Sequence, residues 1–183
     1  MAEVLLIERA DLVKFTVVDG NVDTDKFIQF IKIAQDIHIQ GYLGTDLLNK
    51  LKADIEAGTL SGNYLSLLTD FVKPMLIHWA MVEYLPFAAY TVANKGVYKH
   101  TSENSTDVSK NEIDFLVEKQ RITAENYSQR FVDYMCFNSA LFPEYHTNSG
   151  PDVYPKSNSN IGGWYLWKDI RWNKTTLRKL KNI

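Results

Sequence analysis

The sequence lacks the residue types that build cross-linked or metal-bound sites. It holds a single cysteine, Cys136, in 183 residues, and one cysteine excludes both an internal disulfide and a multi-cysteine zinc site. No run of about 18 apolar residues occurs, so we expect no membrane-spanning helix. The N-terminus has no basic start and only four consecutive apolar residues, Val4 to Ile7, which is unlike a signal peptide. We therefore expect the protein to be made in a reducing cytoplasm.

The motifs of common catalytic and nucleotide-binding sites are also missing. Gly162-Gly163 lacks the lysine and the following helix of a phosphate-binding loop, and no Gly-x-Ser-x-Gly elbow occurs. The four histidines have no metal-ligand spacing, because the residues one helical turn from His38 are poor ligands. We interpret His78 as a core or groove histidine with a hydrogen bond, and Cys136 as a small buried hydrophobe. The sequence therefore predicts no enzyme, no cofactor, no metal and no small-molecule substrate.

Composition and charge describe a globular chain with two unequal parts. Apolar residues make up 45% and aromatic residues 13%, which is enough to build the core of one domain. Residues 164–183 hold six basic residues and one acid, a charge of 6 − 1 = +5, while the remainder holds 14 basic and 21 acidic residues, a charge of −7. An acidic body with a basic tail is typical of a chain whose tail binds a partner.

Helical spacing of apolar residues predicts a mainly α-helical protein, a small bundle of four to five helices over residues 23–142. Residues 1–22 are expected to form an extended N-terminal arm or small hairpin, because two β-prone runs precede the turn signal Asp19-Gly20-Asn21. The first helix should begin at Asp23 or Thr24 and end at Leu43-Gly44. A second helix should run from Thr45 to a left-handed cap at Gly58. The apolar face predicted for the first helix is Phe27, Phe30, Ile31, Ala34 and Ile37.

Proline and capping signals define the later helices. A third helix should begin near Tyr64 and continue to Ala93, with a kink or break before Pro74 and another at Pro86. Residues 94–108 predict a loop or short hairpin. Ser109 and Glu112 match a reciprocal capping box, so a long helix should follow and end at Pro143. Its predicted apolar face is Ile113, Leu116, Val117, Ala124, Tyr127, Phe131, Tyr134, Met135 and Leu141.

Residues 143–183 are predicted to form an extended C-terminal arm. Residues 143–163 carry three prolines and no apolar periodicity, which indicates a linker or a strap along the surface. Aromatic and basic residues then alternate, and this tail could bind a protein, pack on its own body or stack on nucleic acid. The candidate partner-binding residues are Trp164, Tyr165, Trp167, Arg171, Trp172, Arg178 and Lys179.

A series of short motifs follows in a fixed order over roughly residues 24–140. They are, in order, Leu43 to Leu51, Tyr64 to Leu68, Val72 to Leu76, Trp79-Ala80, Glu83 to Pro86, Lys95 to Val97, Glu103 to Ser105, Ser109 and Tyr127 to Tyr134. This order resembles the head–tail connector proteins of tailed bacteriophages. These adaptor or neck-ring proteins include relatives from phages that infect Bacteroidetes, the crAss-like phages among them.

The resemblance implies a structural virion protein made in the bacterial host's cytoplasm. Such proteins assemble as rings, commonly of twelve subunits, that join the portal protein to the next neck or tail component. They line the path of the passing genomic DNA without recognising its sequence, and they have no enzymatic activity. The alternative from a different class is a helical nucleic-acid-binding protein that uses its aromatic and basic C-terminal tail.

Overall fold

The computed structural model describes residues 3–16, 24–88, 90–93, 96–99, 109–147, 150 and 152–156. Over these residues the fold is mainly α-helical, which confirms the predicted class. The elements are α1 (Arg9–Phe15), α2 (Thr24–Ala34), a first π turn (Gln35–Ile39), α3 (Gln40–Leu43), α4 (Thr45–Ala57), α5 (Gly62–Leu67), a second π turn (Leu68–Val72), α6 (Lys73–Ala88), β1 (Tyr90–Ala93), β2 (Gly96–Lys99) and α7 (Lys110–Asn138). The helices form five continuous helical segments, because α2 continues into α3, and α5 into α6, through a π-helical turn.

Helix α6 is the centre of the bundle. It packs against α7 on one side and against α2 on the other, and Met75, Leu76 and Ala80 are completely buried. A helix with neighbours on two sides needs apolar residues around most of its circumference. The segment Gly62–Ala88 is therefore long and apolar enough to cross a membrane by length and composition, although 56% of its most apolar window is buried inside the protein. That test is weak evidence for a membrane span, since the core helix of a soluble protein passes it too.

The second π turn accommodates Pro74, which the sequence predicted to disturb its helix. Proline has no amide hydrogen for the carbonyl of residue 70, and its ring clashes with the preceding turn. The wider π turn ends at Val72, and a regular helix resumes at Lys73. Pro86 has a smaller effect than predicted, because α6 continues to Ala88. The prediction of helix up to Ala93 was wrong, since Tyr90–Ala93 pairs with Gly96–Lys99 as an antiparallel hairpin.

The first π turn changes which side chains of its helix face the core. A π turn contains more residues than an α turn, so the residues after Ala34 are rotated relative to regular α-helical phase. Ile37, predicted to lie in the core, is 62% exposed, and Ile39 is completely buried in its place. The rest of the predicted face, Phe27, Phe30, Ile31 and Ala34, is buried.

The N-terminal segment contains a helix that the sequence did not predict. Residues 9–15 form α1, so the expectation of an extended conformation was wrong there. The main-chain amide of Glu8 donates to the Asp11 carboxylate at 3.1 Å, which caps the first turn. Leu6, Ile7 and Leu12 are buried, so tertiary packing outweighs the local β-propensity of this stretch.

A buried glutamine holds the segment before α1 against the body. Gln35 is completely buried. Its side-chain oxygen accepts a hydrogen bond from the Leu6 amide at 2.9 Å, and its side-chain nitrogen donates to the Val4 carbonyl at 3.1 Å. One amide side chain thus satisfies a main-chain donor and an acceptor that a neighbouring strand would otherwise pair.

Helix α7 begins where the sequence predicted, but fewer of its predicted core residues are buried. Ser109 and Glu112 form the reciprocal capping box, with the Ser109 amide 2.7 Å from the Glu112 carboxylate. Among the predicted core residues, Ala124, Phe131 and Met135 are buried, whereas Leu116 and Leu141 are 47% and 45% exposed. The 29 residues of α7 span about 43 Å and the 16 of α6 about 24 Å. The second π turn continues α6 along α7, so that Phe71 stacks on Tyr134 near the C-terminal end of α7 and His78 reaches Gln120 nearer its start.

Replacing Gln35 with methionine should destabilise the protein and release its N-terminal segment. Gln35→Met keeps the side-chain length but leaves the Leu6 amide and the Val4 carbonyl without partners, at a cost of about 2–4 kcal/mol. Urea denaturation would measure the loss, and limited proteolysis should show faster cleavage within residues 3–16. Asn49→Ala, which removes an exposed amide from α4, is the control. Equal stability of the Gln35→Met variant and the wild type would contradict this role.

Candidate interaction surfaces

The aromatic and basic tail lies outside the part of the chain that the structure describes. This holds for all seven candidate residues, Trp164, Tyr165, Trp167, Arg171, Trp172, Arg178 and Lys179. The structure describes the last stretch before them, residues 152–156, which we call the C-terminal strap. The strap is the described part of the chain that lies nearest in sequence to the tail.

The C-terminal strap runs across the corner between α3 and α4. The Thr45 amide donates to the Val153 carbonyl at 3.1 Å, and the Lys156 amide donates to the Gly41 carbonyl at 2.9 Å. Pro155 is buried, and the Lys156 ammonium lies 5.8 Å from the centre of the Tyr42 ring. The predicted surface strap is therefore present over these residues, and it pairs through its main chain.

Gly44 makes room for the strap at this corner. Its φ of 76° and ψ of 161° lie in a region that is essentially restricted to glycine. A Cβ at this position would lie 2.6 Å from Cγ of Pro155, well inside van der Waals contact. The glycine that ends the first predicted helix thus has a second role, which is to let Pro155 approach the main chain.

A second set of contacts holds the chain between α7 and the strap. Phe142 is completely buried and Tyr145 is nearly so, and the Tyr64 hydroxyl donates to the Glu144 carboxylate at 2.6 Å. Burial and the Glu144 charge raise the pKa of Tyr64 to about 12. Burial likewise raises the pKa of Tyr145 to about 12. Both phenols are neutral at physiological pH, so they are hydrogen-bonding and packing groups rather than proton acceptors.

A polar network crosses the bundle at the centre of α6. His38 Nε2 lies 2.8 Å from Glu83 Oε1, and the His38 ring stacks on Trp79 with 3.9 Å between centroids. Trp79 Nε1 donates to Ser128 Oγ at 3.0 Å, and Ser128 Oγ donates to the Ala124 carbonyl at 2.8 Å. The network connects the first π turn, α6 and α7. Sequence spacing could not reveal it, because its members lie far apart along the chain.

The two residues weighed for chemistry in the sequence have different outcomes. His78 is half-buried and its Nδ1 lies 2.9 Å from Gln120 Oε1, which confirms its interpretation as a hydrogen-bonded groove histidine. Cys136 is exposed, so its interpretation as a buried hydrophobe was wrong. Helix geometry explains the error: Met135 faces the core, and the next residue is rotated by about 100° from it.

Large apolar side chains are exposed on several separate elements. Six of them are more than half exposed, namely Phe15 on α1, Ile37 in the first π turn, Phe87 near the end of α6, Phe115 and Phe137 on α7, and Tyr154 in the C-terminal strap. Phe137 is the extreme case at 88%. Single exposed apolar residues are ordinary, but exposed aromatic residues are also what protein interfaces bury most often.

The described residues bring together no group of three or more His, Cys, Asp or Glu side chains able to hold a metal ion. In the same residues, buried side-chain nitrogen and oxygen atoms all have hydrogen-bond partners. The polar network and the strap contacts are therefore accounted for by joining elements of the fold.

Comparison with known proteins places the chain in a family whose function is not known. The model of DUF6712, a family of unknown function, matches residues 39–155, and the chain belongs to this family. The match begins in the first π turn and ends at Pro155, so it includes both the strap and the corner to which the strap binds. No curated protein and no solved structure matches the chain.

Replacing Gly44 with alanine should loosen the C-terminal strap. Gly44→Ala adds backbone strain and a clash with Pro155, and we expect a loss of about 3 kcal/mol in the free energy of unfolding. Gly58→Ala is the matched control: Gly58 has a φ of 66°, but a Cβ there meets nothing within 4 Å, so strain alone should cost about 1 kcal/mol. Chemical denaturation measures both variants. Equal losses would mean that the strap contact contributes no stability.

Proposed function

We propose that this chain is a structural virion protein, a head–tail connector subunit that assembles with copies of itself into a ring between the portal and the neck or tail. The motif order described above motivates the class. The single observation on the molecule that supports it is the distribution of exposed aromatic side chains over α1, α6 and α7. A chain that works by contact needs such anchors, because aromatic residues dominate binding energy at interfaces.

A ring also requires contact surfaces of two kinds. Subunits in a ring meet head to tail, so one patch must complement a different patch on the next copy. Phe15 lies on α1, whereas Phe87 lies near the end of α6 and Phe137 near the end of α7. Exposed apolar anchors on separate elements are compatible with two distinct contacts, and a ring of twelve copies would use both in every subunit.

The charge distribution fits the same proposal. The body without residues 164–183 carries a charge of −7, and an acidic surface facing a channel would let the DNA polyanion pass without adhering. The tail carries +5, so it could dock on an acidic neighbour such as another copy, the portal or an adjoining neck protein. The strap supplies a defined starting point for this tail at the corner between α3 and α4.

The second candidate function is nucleic-acid binding through the same tail. Interleaved aromatic and basic residues from Trp164 to Lys179 favour it, since such residues can stack on bases and neutralise phosphates. The net charge of −2 opposes it, because the chain as a whole repels a polyanion. If the tail binds DNA, affinity should fall steeply with salt, in proportion to the number of phosphates contacted. Fluorescence anisotropy with labelled DNA at low salt, where no binding would remove this candidate, decides the question.

Assembly with the portal protein encoded in the same genome tests the connector proposal. The full chain should form a large ring-shaped complex with the portal, visible by light scattering after size-exclusion chromatography and by negative-stain electron microscopy. A chain truncated after Gly163 should assemble poorly, because it lacks the tail that docks on neighbours.

Two controls separate assembly from folding and from charge. The truncated chain should keep the urea midpoint of the full chain if residues 164–183 are used only in docking. A variant with Trp164, Trp167 and Trp172 changed to alanine, which retains every basic residue, distinguishes aromatic anchoring from charge. A full chain that never joins the portal would contradict the connector proposal. A truncated chain that joins the portal normally would contradict the role of the tail.

A further inference from the structure

The outward face of α7 carries a row of exposed side chains that extends along most of the helix. Its members are Phe115, Lys119, Ile122, Asn126, Asp133 and Phe137, and we call them the outward row. Their spacings of three, four and seven residues place them on one face of a helix. The buried residues Ala124, Phe131 and Met135 lie on the opposite face, against α6.

Four members of the outward row are placed symmetrically about Asn126, in a way that favours pairing of the row with itself. Phe115 and Phe137 each lie 11 residues from Asn126, and Lys119 and Asp133 each lie 7 residues from it. If a second copy of α7 lies antiparallel across Asn126, each Phe115 meets a Phe137 and each Lys119 meets an Asp133. Both aromatic contacts and both ion pairs then form twice, as a two-fold axis requires.

We propose that two copies of this chain pair antiparallel through the outward rows of their α7 helices, with the two-fold axis at Asn126. The contact is isologous, so it is distinct from the head-to-tail contacts of a ring. It does not depend on the proposed connector function, because the free chain can pair whether or not it later joins a virion.

The side chains of the row are held where the pairing needs them. The Lys119 ammonium lies 5.5 Å from the centre of the Phe115 ring, and Gln129 donates to the Asp133 carboxylate at 2.8 Å. Lys119 and Asp133 cannot meet within one helix, since 14 residues of α-helix separate them by about 21 Å. A second copy is the partner that brings these opposite charges together, and it also covers Phe137, which is 88% exposed.

The size of the contact sets the expected strength. From Phe115 to Phe137 the row is about 33 Å long, and one pair of helices buries less area than a standard interface. We therefore expect a dissociation constant of about 10–100 µM, typical of a weak reversible dimer. Sedimentation velocity of the full chain over a concentration series would measure it.

Aromatic truncation tests which face pairs. Phe137→Ala and Phe115→Ala should each raise the dissociation constant about tenfold or more, because each change removes a buried aromatic contact from both ends of the dimer. Phe15→Ala is the matched control, since Phe15 is 57% exposed on α1 and lies outside the row. It should leave the dissociation constant unchanged.

Charge reversal tests the register. Lys119→Glu places two acids opposite each other at both ion pairs, and Asp133→Lys places two lysines there, so each variant alone should dimerise several-fold more weakly. An equimolar mixture of the two variants should recover the wild-type affinity as a heterodimer, because every reversed charge then faces an opposite charge on the other variant. No contact within one chain can produce that recovery.

Three results would overturn the proposal. The first is a full chain that stays monomeric up to about 1 mM, a concentration at which a contact of this kind should be occupied. The second is a dimer whose affinity Phe137→Ala leaves unchanged, or a mixture of the charge variants that does not pair. The third is dimerisation only after residues 157–183 are removed, which would show that the chain's own tail covers the row. All these measurements use the chain alone, so they succeed or fail independently of the portal experiment.

Discussion

The first π turn is the constraint on which the N-terminal half of the structure depends. By rotating the helix after Ala34, it directs Gln35 towards the main chain of residues 4–6 and Ile39 into the core. It also places the ring of His38 flat on Trp79. In a regular α-helix Ile37 would lie nearer to the core face set by Ile31 and Ala34, and Ile39 would lie further from it. One local change in helical winding therefore determines which of these side chains enter the core.

Helix α7 has two different faces along its length. Where α6 covers it, α7 buries Ala124, Phe131 and Met135 and accepts the Trp79 hydrogen bond at Ser128. On the opposite face of α7, Phe115, Ile122 and Phe137 are exposed. Packing on α6 thus accounts for one face of α7, and the outward row occupies the other face.

Local signals in the sequence predicted local structure, and long-range contacts explain the rest. The capping box at Ser109 and the glycine caps at Gly44 and Gly58 could be identified because each depends on a few adjacent residues. Helix α1 could not, since its apolar residues are buried by distant parts of the chain. The exposure of Leu116 was also hidden, because periodicity shows which residues share a face but not which of them a neighbouring helix covers. The exposure of Cys136 could have been inferred, since it lies about 100° around the helix from Met135. The Gln35 and Trp79–Ser128 hydrogen bonds join residues 29 and 49 positions apart, beyond the range of any spacing argument.

The anchored strap has a consequence for the segment that follows it. Trp164, the first aromatic residue of the tail, comes eight residues after Lys156, and a chain of eight residues can span at most about 29 Å. Because its origin is fixed at the corner between α3 and α4, every copy in an assembly would release this segment from an equivalent point. A tethered segment meets an adjacent surface at an effective concentration of about a millimolar when its length matches the distance. Several weak contacts, one from each copy, would then together hold the assembly stably on an adjacent surface, although each contact alone has low affinity.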